Sequence, residues 1–217
     1  SKEYWDRRFH SLDWEKRGGT FQTINHARRY VPLLGVSRGF IGSICDFGCA
    51  EGDAFKIYRK YFPKATLIGV DFSAEAISKA RERYGAFATF IIGDEKLVPS
   101  CDIIIASHVI EHLENDKDVI LELRSKCTRL FIIVPFEEAN TCEEHKRTYN
   151  LDTYNELKPK RTVMCKAGWS YSLAQQIFQI YIKNIARYLI FKRTANEPSQ
   201  IIFEFEGLYN TDQTLKE

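Results

Sequence analysis

Three acidic residues stand where short apolar segments end, and a glycine-containing loop follows the first of them. Asp46 begins the segment DFGCAEGD at 46–53, Asp71 follows the second apolar run, and Asp94 follows the third. Carboxylates at such points can accept hydrogen bonds from the ribose hydroxyls or the exocyclic amine of a bound nucleoside. Acids at three successive strand ends therefore indicate one binding site for a small ligand.

The loop after Asp46 carries Gly48 and Gly52, which allow the backbone to approach a ligand closely. A helix is predicted to begin at Asp53, and the first N–H groups of a helix have no partner within it. The loop therefore offers both space and hydrogen-bond donors to a ligand.

Each of these features also has a plain structural explanation. The loop could be an ordinary tight turn, Asp94 a turn residue and Asp71 the N-cap of the next helix. Ser73 fits the capping role at least as well as Asp71. The three acids taken together favour the binding site over these separate explanations.

A second set of reactive side chains follows the apolar run Asp102–Ser107. His108, Glu111 and His112 come directly after it, and His145 lies in the charged segment EEHKR. Imidazole groups suit general-base catalysis near neutral pH, so the three histidines are candidate bases. The alternatives are that Glu111 and His112 form a structural hydrogen-bonding element and that His145 is solvated.

Short apolar runs alternate with amphipathic segments from residue 41 onward, which indicates strands and helices in turn. The predicted strands are Ile41–Phe47, Ala65–Val70, Phe87–Ile92, Cys101–Ser107 and Arg129–Val134. The predicted helices between them are Asp53–Tyr61, Ala74–Tyr84 and Asp116–Lys126. Unbroken apolar strands are typical of a parallel sheet covered on both faces, and right-handed crossovers give a doubly wound, Rossmann-like α/β fold.

The two ends of the chain have weaker patterns. The predicted helices there are Gln22–Leu34, Leu151–Leu157 and Ser172–Ile185. The predicted strands are Arg161–Cys165, Arg187–Phe191 and Ile201–Phe205, with a turn at 196–198.

Composition places the chain among ordinary globular proteins. Its 217 residues and mass of 25.3 kDa favour one domain. Lys and Arg number 31 against 29 Asp and Glu, a balance that argues against a dedicated nucleic-acid binder. No apolar run is long enough to span a bilayer, and the N-terminus SKEYWDRRFH resembles neither a signal nor a transit peptide. Six cysteines without a C-x-x-C pair indicate reduced thiols in a cytoplasmic protein.

These motifs resemble those of the class I S-adenosylmethionine (SAM)-dependent methyltransferases. The strand that ends at Ser107, followed by HVIEHL at 108–113, is similar to the small-molecule group with an EHL-type motif after strand 4. The likeness covers residues 40–150, and the opening Tyr4-Trp5-Asp6 is similar as well. It implies a seven-stranded, mostly parallel sheet with an antiparallel C-terminal strand. One departure is Ala50, where these enzymes usually carry glycine.

The resemblance implies SAM as cofactor and S-adenosylhomocysteine (SAH) as product. The implied cofactor-binding residues are Asp46, Gly48, Cys49, Ala50, Gly52, Asp71, Phe72, Gly93, Asp94, Ser107 and His108. The first five hold the methionine moiety, Asp71 takes the ribose, Asp94 faces the adenine amine, and Phe72 or Ile92 packs on the ring. NAD is the competing ligand, but the G-x-x-x-G spacing differs from the G-x-G-x-x-G turn for a pyrophosphate, which SAM lacks.

The catalytic candidates are His108, beside the reactive methyl group, and His145, at the border of the substrate cleft. No residue is assigned to a metal, but an alternative uses the same side chains. The spacing of His108, Glu111, His112 and His145 resembles the E-x-x-E-H…H magnesium site of small-RNA 2′-O-methyltransferases and the E-x-x-E-H motif of ubiquinone-pathway O-methyltransferases. Here His108 replaces the first Glu, and such a set suits Zn²⁺ or Fe²⁺ better than Mg²⁺.

We expect a single methyltransferase domain over residues 1–217. Its parts are an aromatic, helical lid at 1–40, a SAM-binding core at 41–135, and substrate-side and C-terminal strands at 136–217. Within the lid, Trp5, Trp14 and Phe21 exclude water and line the acceptor pocket. The segment Trp169–Arg187 shapes that pocket or packs against a second subunit, so a homodimer is one expectation.

The expected reaction is methyl transfer to an oxygen or nitrogen atom of a small molecule, such as a sugar or another biosynthetic intermediate. One alternative is RNA methylation, for which basic groups at 158–161 and 192–193 must line one path. A second alternative is a non-catalytic subunit that keeps the fold. The acids at all three strand ends argue against a degenerate pocket.

Overall fold

A computed structural model describes residues 2–137, 145–167 and 199–209. Several sequence features lie outside these ranges: the predicted helix Ser172–Ile185, the predicted strand Arg187–Phe191, the turn at 196–198, the basic pair Lys192-Arg193 and the segment Trp169–Arg187. Within the described ranges, no helix has the length and apolar character needed to cross a membrane.

The described residues form a seven-stranded sheet in the order β3-β2-β1-β4-β5-β7-β6. Its strands are β1 Ser43–Phe47, β2 Thr66–Asp71, β3 Thr89–Ile92, β4 Cys101–Ser107, β5 Cys127–Pro135, β6 Arg161–Lys166 and β7 Ser199–Glu206. Strands β1 to β5 pair in parallel, and β7 runs antiparallel between β5 and β6. The predicted fold class is therefore confirmed, and the order reverses between β1 and β4, where ligands bind in such sheets.

Six α-helices are described, and three of them precede the first strand. They are α1 Lys2–His10, α2 Asp13–Lys16, α3 Gly19–Tyr30, α4 Phe55–Tyr61, α5 Ala74–Tyr84 and α6 Asp116–Arg124. The 3₁₀ turns are Val31–Leu33, Glu95–Leu97, Ile110–His112 and Asn155–Leu157.

The helix predicted from Asp53 begins two residues later, at Phe55, and the one predicted to end at Lys126 ends at Arg124. Two other helix predictions need a larger correction. The predicted helix Gln22–Leu34 begins earlier, at Gly19, and its α-helical part ends at Tyr30, because Pro32 tightens the chain into the 3₁₀ turn that follows. The predicted helix Leu151–Leu157 is wrong, since this segment makes only turns and one short 3₁₀ turn. Its few apolar residues do not extend over enough turns to support an α-helix.

The apolar strands pack on both faces, as their sequences predict. In β4, Ile103 and Ile105 join a cluster that contains Phe131, whereas Ile104 and Ala106 join the cluster on the opposite face. Successive side chains of a strand point to opposite faces, so a strand buried on both faces must be apolar at every position. The covered sheet holds the carboxyl ends of β1, β2 and β4 in fixed relative positions.

A buried carboxylate ties the C-terminal strand to the α3 end of the molecule. Glu204 is 5% exposed and accepts from Arg129 Nη2 at 2.7 Å and from Arg161 Nε at 2.9 Å. The two guanidinium groups also donate to the Leu34 and Leu33 carbonyls, each at 2.8 Å. The carboxylate is thus the centre of one charged network.

We expect Glu204→Ala to lower the free energy of unfolding by about 2–3 kcal/mol, because two partly buried arginines lose their anionic partner. Glu206→Ala on the same strand is the matched control, since Glu206 is exposed and pairs only at the surface with Lys160. Urea denaturation of both variants measures the difference. Equal stability of the two variants would show that the Glu204 network is not stabilising.

Candidate functional site

The loop after β1 is a tight turn held against the end of β2. Gly48 and Gly52 have φ values of 73° and 78°, and Ala50 also has a positive φ, of 47°. The Gly48 and Cys49 N–H groups donate to the Val70 carbonyl at 2.7 and 3.2 Å. The left-handed conformation is accessible to glycine but strained for alanine. Ala50, where the similar enzymes usually carry glycine, is therefore under backbone strain.

Asp71 connects this loop to β2 through both carboxylate oxygens. Oδ2 accepts from the Ala50 N–H at 2.9 Å and Oδ1 accepts from the Ser73 N–H at 2.9 Å. Burial raises the pKa of this carboxyl to about 6, although the two N–H donors oppose the shift. Ser73, not Asp71, is the side-chain cap of α5, since its hydroxyl accepts from the Ala76 N–H.

Asp46 is a buried carboxyl group, and none of the groups that shift its pKa is a cationic side chain. It is 4% exposed, faces the Tyr58 hydroxyl and lies near Asp71. Tyr58 in turn shares a 2.6 Å hydrogen bond with the Tyr30 hydroxyl. Burial raises the pKa of Asp46 to about 8, so the site favours a cation or a proton at this point.

The third acid lies at a more open part of the same edge. Asp94 is exposed and accepts from the Lys96 N–H at 3.1 Å, and the Gly93 N–H donates to the Asp71 carbonyl at 2.9 Å. Nearby on the chain, Phe72 is half-buried and Ile92 is 43% exposed. The structure thus brings β2 and β3 ends together, with apolar surface beside two carboxyls.

The Cys49 thiol, in the same loop, points into the protein interior. Cys49 is 3% exposed, and burial raises its pKa well above the usual range. Its backbone N–H already donates to the Val70 carbonyl. Cys49 therefore contributes packing and backbone shape to the loop rather than a reactive sulfur.

The end of β4 places His108 in an unusual backbone conformation. His108 has a φ of 55°, and its N–H donates to the Ile133 carbonyl at 2.8 Å. Its ring stacks on His26 at a centroid distance of 4.1 Å, and its Nε2 lies 3.0 Å from Gln200 Oε1. Burial lowers the pKa of His26 well below its usual value, so this ring stays neutral beside His108.

Sequence reasoning missed both of these neighbours. His26 belongs to α3 and Gln200 to β7, so each reaches His108 across a long stretch of chain. Gln200 is fully buried and directly precedes the apolar run at 201–203, which was the available signal in the sequence. The half-buried Ser107 ends β4 beside this histidine, as the resemblance implies.

A second cluster follows directly, and it contains the other reactive residues named from the sequence. Glu111, His112 and His145 each place one ligand-type atom within 4.8 Å of the others. The Lys146 N–H donates to the Glu111 carbonyl at 2.8 Å, which holds the 145–147 segment against the 3₁₀ turn. His145 is thus brought next to the EHL motif although 33 positions separate it from His112.

The N-terminal helices lie over this edge of the sheet. Trp5, Phe9 and Trp14 pack together, and Trp5 also makes an edge contact with His112 at a centroid distance of 5.0 Å. Phe21 is 53% exposed, in contrast to the packed tryptophans. The aromatic cluster covers the EHL motif.

Ion pairs and hydrogen bonds of Lys79, which the sequence patterns did not predict, connect these helices to the loop after β1. Lys79 Nζ donates to the Phe9 carbonyl at 2.8 Å and to Glu15 and Glu51 at 2.9 Å each. Glu51 is fully buried and also pairs with Arg83 at 2.6 Å. The N-terminal helices are therefore anchored beside the candidate binding loop.

The fold, the loop and the acids at the strand ends together define a Rossmann-like α/β protein with a candidate ligand site at one edge of the sheet. Residues 45–129 match the family model described as "Methyltransferase domain". These residues are therefore similar to methyltransferase domains, which agrees with the resemblance drawn from the sequence.

Curated relatives match over part of their length. The malonyl-[acyl-carrier protein] O-methyltransferase of Halalkalibacterium halodurans is 31% identical over 130 residues, covering 52% of this chain and 48% of the relative. The trans-aconitate 2-methyltransferase of Rhodopseudomonas palustris is 28% identical over 101 residues, covering 44% and 38%. The chain thus spans about half or less of the length of these relatives.

Solved structures share the fold over nearly the whole chain. The putative methyltransferase from Haloferax volcanii, solved in complex with the activator Trm112, has a TM-score of 0.65 at 14% identity, covering 94% of this chain and 97% of its own. The plantazolicin methyltransferase BpumL, solved with SAH, has a TM-score of 0.56 at 17% identity, covering 93% and 90%. The SAH in that structure agrees with the cofactor expected from the sequence.

Proposed function

We propose that this protein is a SAM-dependent methyltransferase that modifies an oxygen or nitrogen atom of a small-molecule acceptor. The observation that carries the proposal is Asp71, a buried carboxylate at the carboxyl end of β2 that is bonded to the loop after β1, where the strand order reverses. The match of residues 45–129 to a methyltransferase domain supports the same ligand.

The residues at this edge fit the chemical groups of SAM one by one. Asp46 is a buried carboxyl whose raised pKa marks a place for a cation, and SAM carries an ammonium group there. Asp71 keeps lone pairs free for ribose hydroxyls beyond the two N–H groups it already accepts from. Asp94 is exposed beside the apolar Ile92, an arrangement that suits an adenine amine and its ring.

SAM supplies an electrophilic methyl group, so the chain mainly has to place the acceptor atom in line with it. Positioning of this kind can lower the activation free energy of a reaction between two molecules by roughly 7–11 kcal/mol. His108 and His145 are the residues proposed to contact the acceptor, and the stacked His26 and the Gln200 amide fix the His108 ring. The aromatic cluster of Trp5, Phe9 and Trp14 excludes water from this side.

Several observations favour a small acceptor over RNA. The chain has a formal net charge of +2, and the basic groups at 158–161 include two that are already paired. Lys160 pairs with Glu206, and Arg161 pairs with Glu204 and the Leu33 carbonyl. Two relatives are named for methylation of malonyl-[acyl-carrier protein] and trans-aconitate, and the first name specifies transfer to oxygen. We therefore place an oxygen acceptor first.

We further propose that residues 1–217 act as one domain in the cytoplasm, with the helices before residue 40 as a fixed cover. The hydrogen bonds from Lys79 to Phe9 and Glu15 connect the N-terminal helices to α5, which supports a single domain. The cysteines at 45, 49, 101, 127 and 165 are all free, which suits a reducing compartment.

Asp71→Asn is expected to weaken SAH binding about 10- to 100-fold, because hydrogen bonds to a charged acceptor contribute roughly 1.5–3 kcal/mol each. Wild-type affinity already falls below about pH 8, where Asp46 takes up a proton, and is expected to fall more steeply as the pH drops through about 6, since protonation of Asp71 weakens it as an acceptor. Isothermal calorimetry with SAH measures both effects.

Ser73→Ala is the matched control for Asp71→Asn. It removes the cap of α5 and lowers stability by about 1 kcal/mol, while the Ser73 backbone N–H that Asp71 needs remains. SAH affinity should therefore be unchanged. If Asp71→Asn bound SAH as tightly as the Ser73 variant, Asp71 would have no role with the ribose.

A further inference from the structure

The cluster of Glu111, His112 and His145 has the composition of a metal site. One carboxylate oxygen and two imidazole nitrogens lie within 4.8 Å of one another at the carboxyl end of β4. This donor set occurs at sites for zinc and for other divalent transition metals. Around a zinc ion at about 2.0–2.1 Å, such atoms lie closer together, so small side-chain rotations are enough to close the site.

Glu111 provides the independent observation. It is 1% exposed, and neither carboxylate oxygen accepts a hydrogen bond from any residue that the structure describes. His108 Nδ1 lies 3.3 Å from Oε1 without meeting hydrogen-bond geometry. A buried carboxylate without donors costs several kcal/mol unless a cation faces it.

The backbone around the cluster is fixed from both sides. Glu111 and His112 lie in a 3₁₀ turn, and its Glu111 carbonyl accepts from the Lys146 N–H. Arg147 donates to the Leu113 and Glu114 carbonyls at 3.2 and 2.8 Å and also pairs with the Asp116 carboxylate. The segment that carries His145 is therefore held in place without any metal.

The surroundings also suit a bound cation with an open position. Trp5 contacts the His112 ring, which gives the cluster an aromatic cover on one side. The cluster lies at the same edge of the sheet as the loop after β1, because β1 and β4 are parallel neighbours. A metal held by three side chains keeps at least one position for another ligand.

We propose that Glu111, His112 and His145 bind one divalent transition-metal cation of the Zn²⁺ type, with an open position for an oxygen atom. Mg²⁺ is disfavoured because it prefers oxygen ligands. Where the proposed methyltransferase function also holds, the open position takes the oxygen of the acceptor, so the metal selects hydroxyl or carboxylate acceptors over amines. His108 lies beside Glu111 and orients it.

The test uses the full chain, treated with EDTA and then titrated with Zn²⁺ by calorimetry and with Co²⁺ by visible absorption. We expect one ion per chain and a Co²⁺ spectrum typical of nitrogen and oxygen ligands. Glu111→Gln and His112→Ala should each weaken binding by at least about tenfold, since loss of outer-shell partners alone costs 10- to 100-fold. Glu114→Gln and His10→Ala are matched controls, because both residues are exposed and outside the cluster.

The outcomes separate this inference from the proposed function. No binding of Zn²⁺ or Co²⁺ by the wild-type chain overturns the metal site, and so does binding that survives in Glu111→Gln and His112→Ala. SAH titration of the metal-free chain tests the proposed function alone. If His112→Ala does not fold, the isosteric Glu111→Gln variant and the wild-type Co²⁺ spectrum still decide the question.

Discussion

Gly48→Ala is expected to weaken SAH binding by more than about 100-fold, because one added methyl group must distort the loop that binds the ligand. Gly48 has a φ of 73°, a conformation that costs an alanine roughly 1–2 kcal/mol. A Cβ at this position would also overlap the Val109 side chain. The loop must therefore shift, and the N–H groups of Gly48 and Cys49 leave the Val70 carbonyl.

Two further variants show whether this explanation is right. Gly39→Ala is the matched control, since its Cβ would meet only the Ser37 hydroxyl at 3.6 Å and its φ lies outside the left-handed range. It should bind SAH like the wild type. Adding Val109→Ala to Gly48→Ala removes the two Cγ atoms that overlap most, leaving the Cβ contact of 3.1 Å and the strain, so part of the lost affinity should return. Unchanged SAH binding by Gly48→Ala would contradict the proposed role of the loop.

The second large effect concerns Asp46 and protons. Burial raises its pKa from 3.8 to about 8, so at pH 7 the free protein holds a proton there. The ammonium group of SAH favours the carboxylate, so binding at pH 7 should release close to one proton. Calorimetric enthalpies measured in phosphate and in Tris should differ accordingly, and equal enthalpies would contradict the proposed contact.

Asp46→Asn should abolish this proton release and weaken SAH binding about 10²- to 10⁴-fold, because loss of one partner of a buried ion pair costs about 3–5 kcal/mol. Asp94→Asn is the control, since Asp94 is an exposed carboxyl at the same edge of the sheet. It should leave the proton release unchanged.

The same group predicts a pH dependence of stability without ligand. Between pH 4 and pH 8 the folded state holds the Asp46 proton and the unfolded state does not, so stability falls as the pH rises through this window. Each pKa unit corresponds to about 1.36 kcal/mol. Asp46→Asn lacks this loss and should be more stable than the wild type at pH 9, as measured by urea denaturation.

The central strands and helices were predictable because each carries its own local signal in the sequence. Cys101–Ser107 and Ala74–Tyr84 were predicted with the observed bounds, since an unbroken apolar run and a capped amphipathic segment are readable from sequence alone. The segment Leu151–Leu157 has no such signal and was predicted wrongly. Short apolar runs without flanking turns do not distinguish an α-helix from a series of turns.

The candidate site was predictable where its residues lie at strand ends. Asp46, Asp71 and Asp94 follow apolar runs, so topology alone brings them to one edge. The contacts of His108 with His26 and Gln200 were not predictable, because they depend on how α3 and β7 pack against β4. Packing between distant segments leaves no spacing pattern in the sequence.

Binding of SAM-type ligands by this chain is measured most simply by calorimetric titration of the EDTA-treated wild-type protein with SAH, with NAD as the comparison ligand. We expect one SAH per chain with a Kd in the micromolar range or tighter, about −8 kcal/mol, and no binding of NAD. Absence of SAH binding by the folded chain would contradict the assignment of this loop and its three acids to SAM.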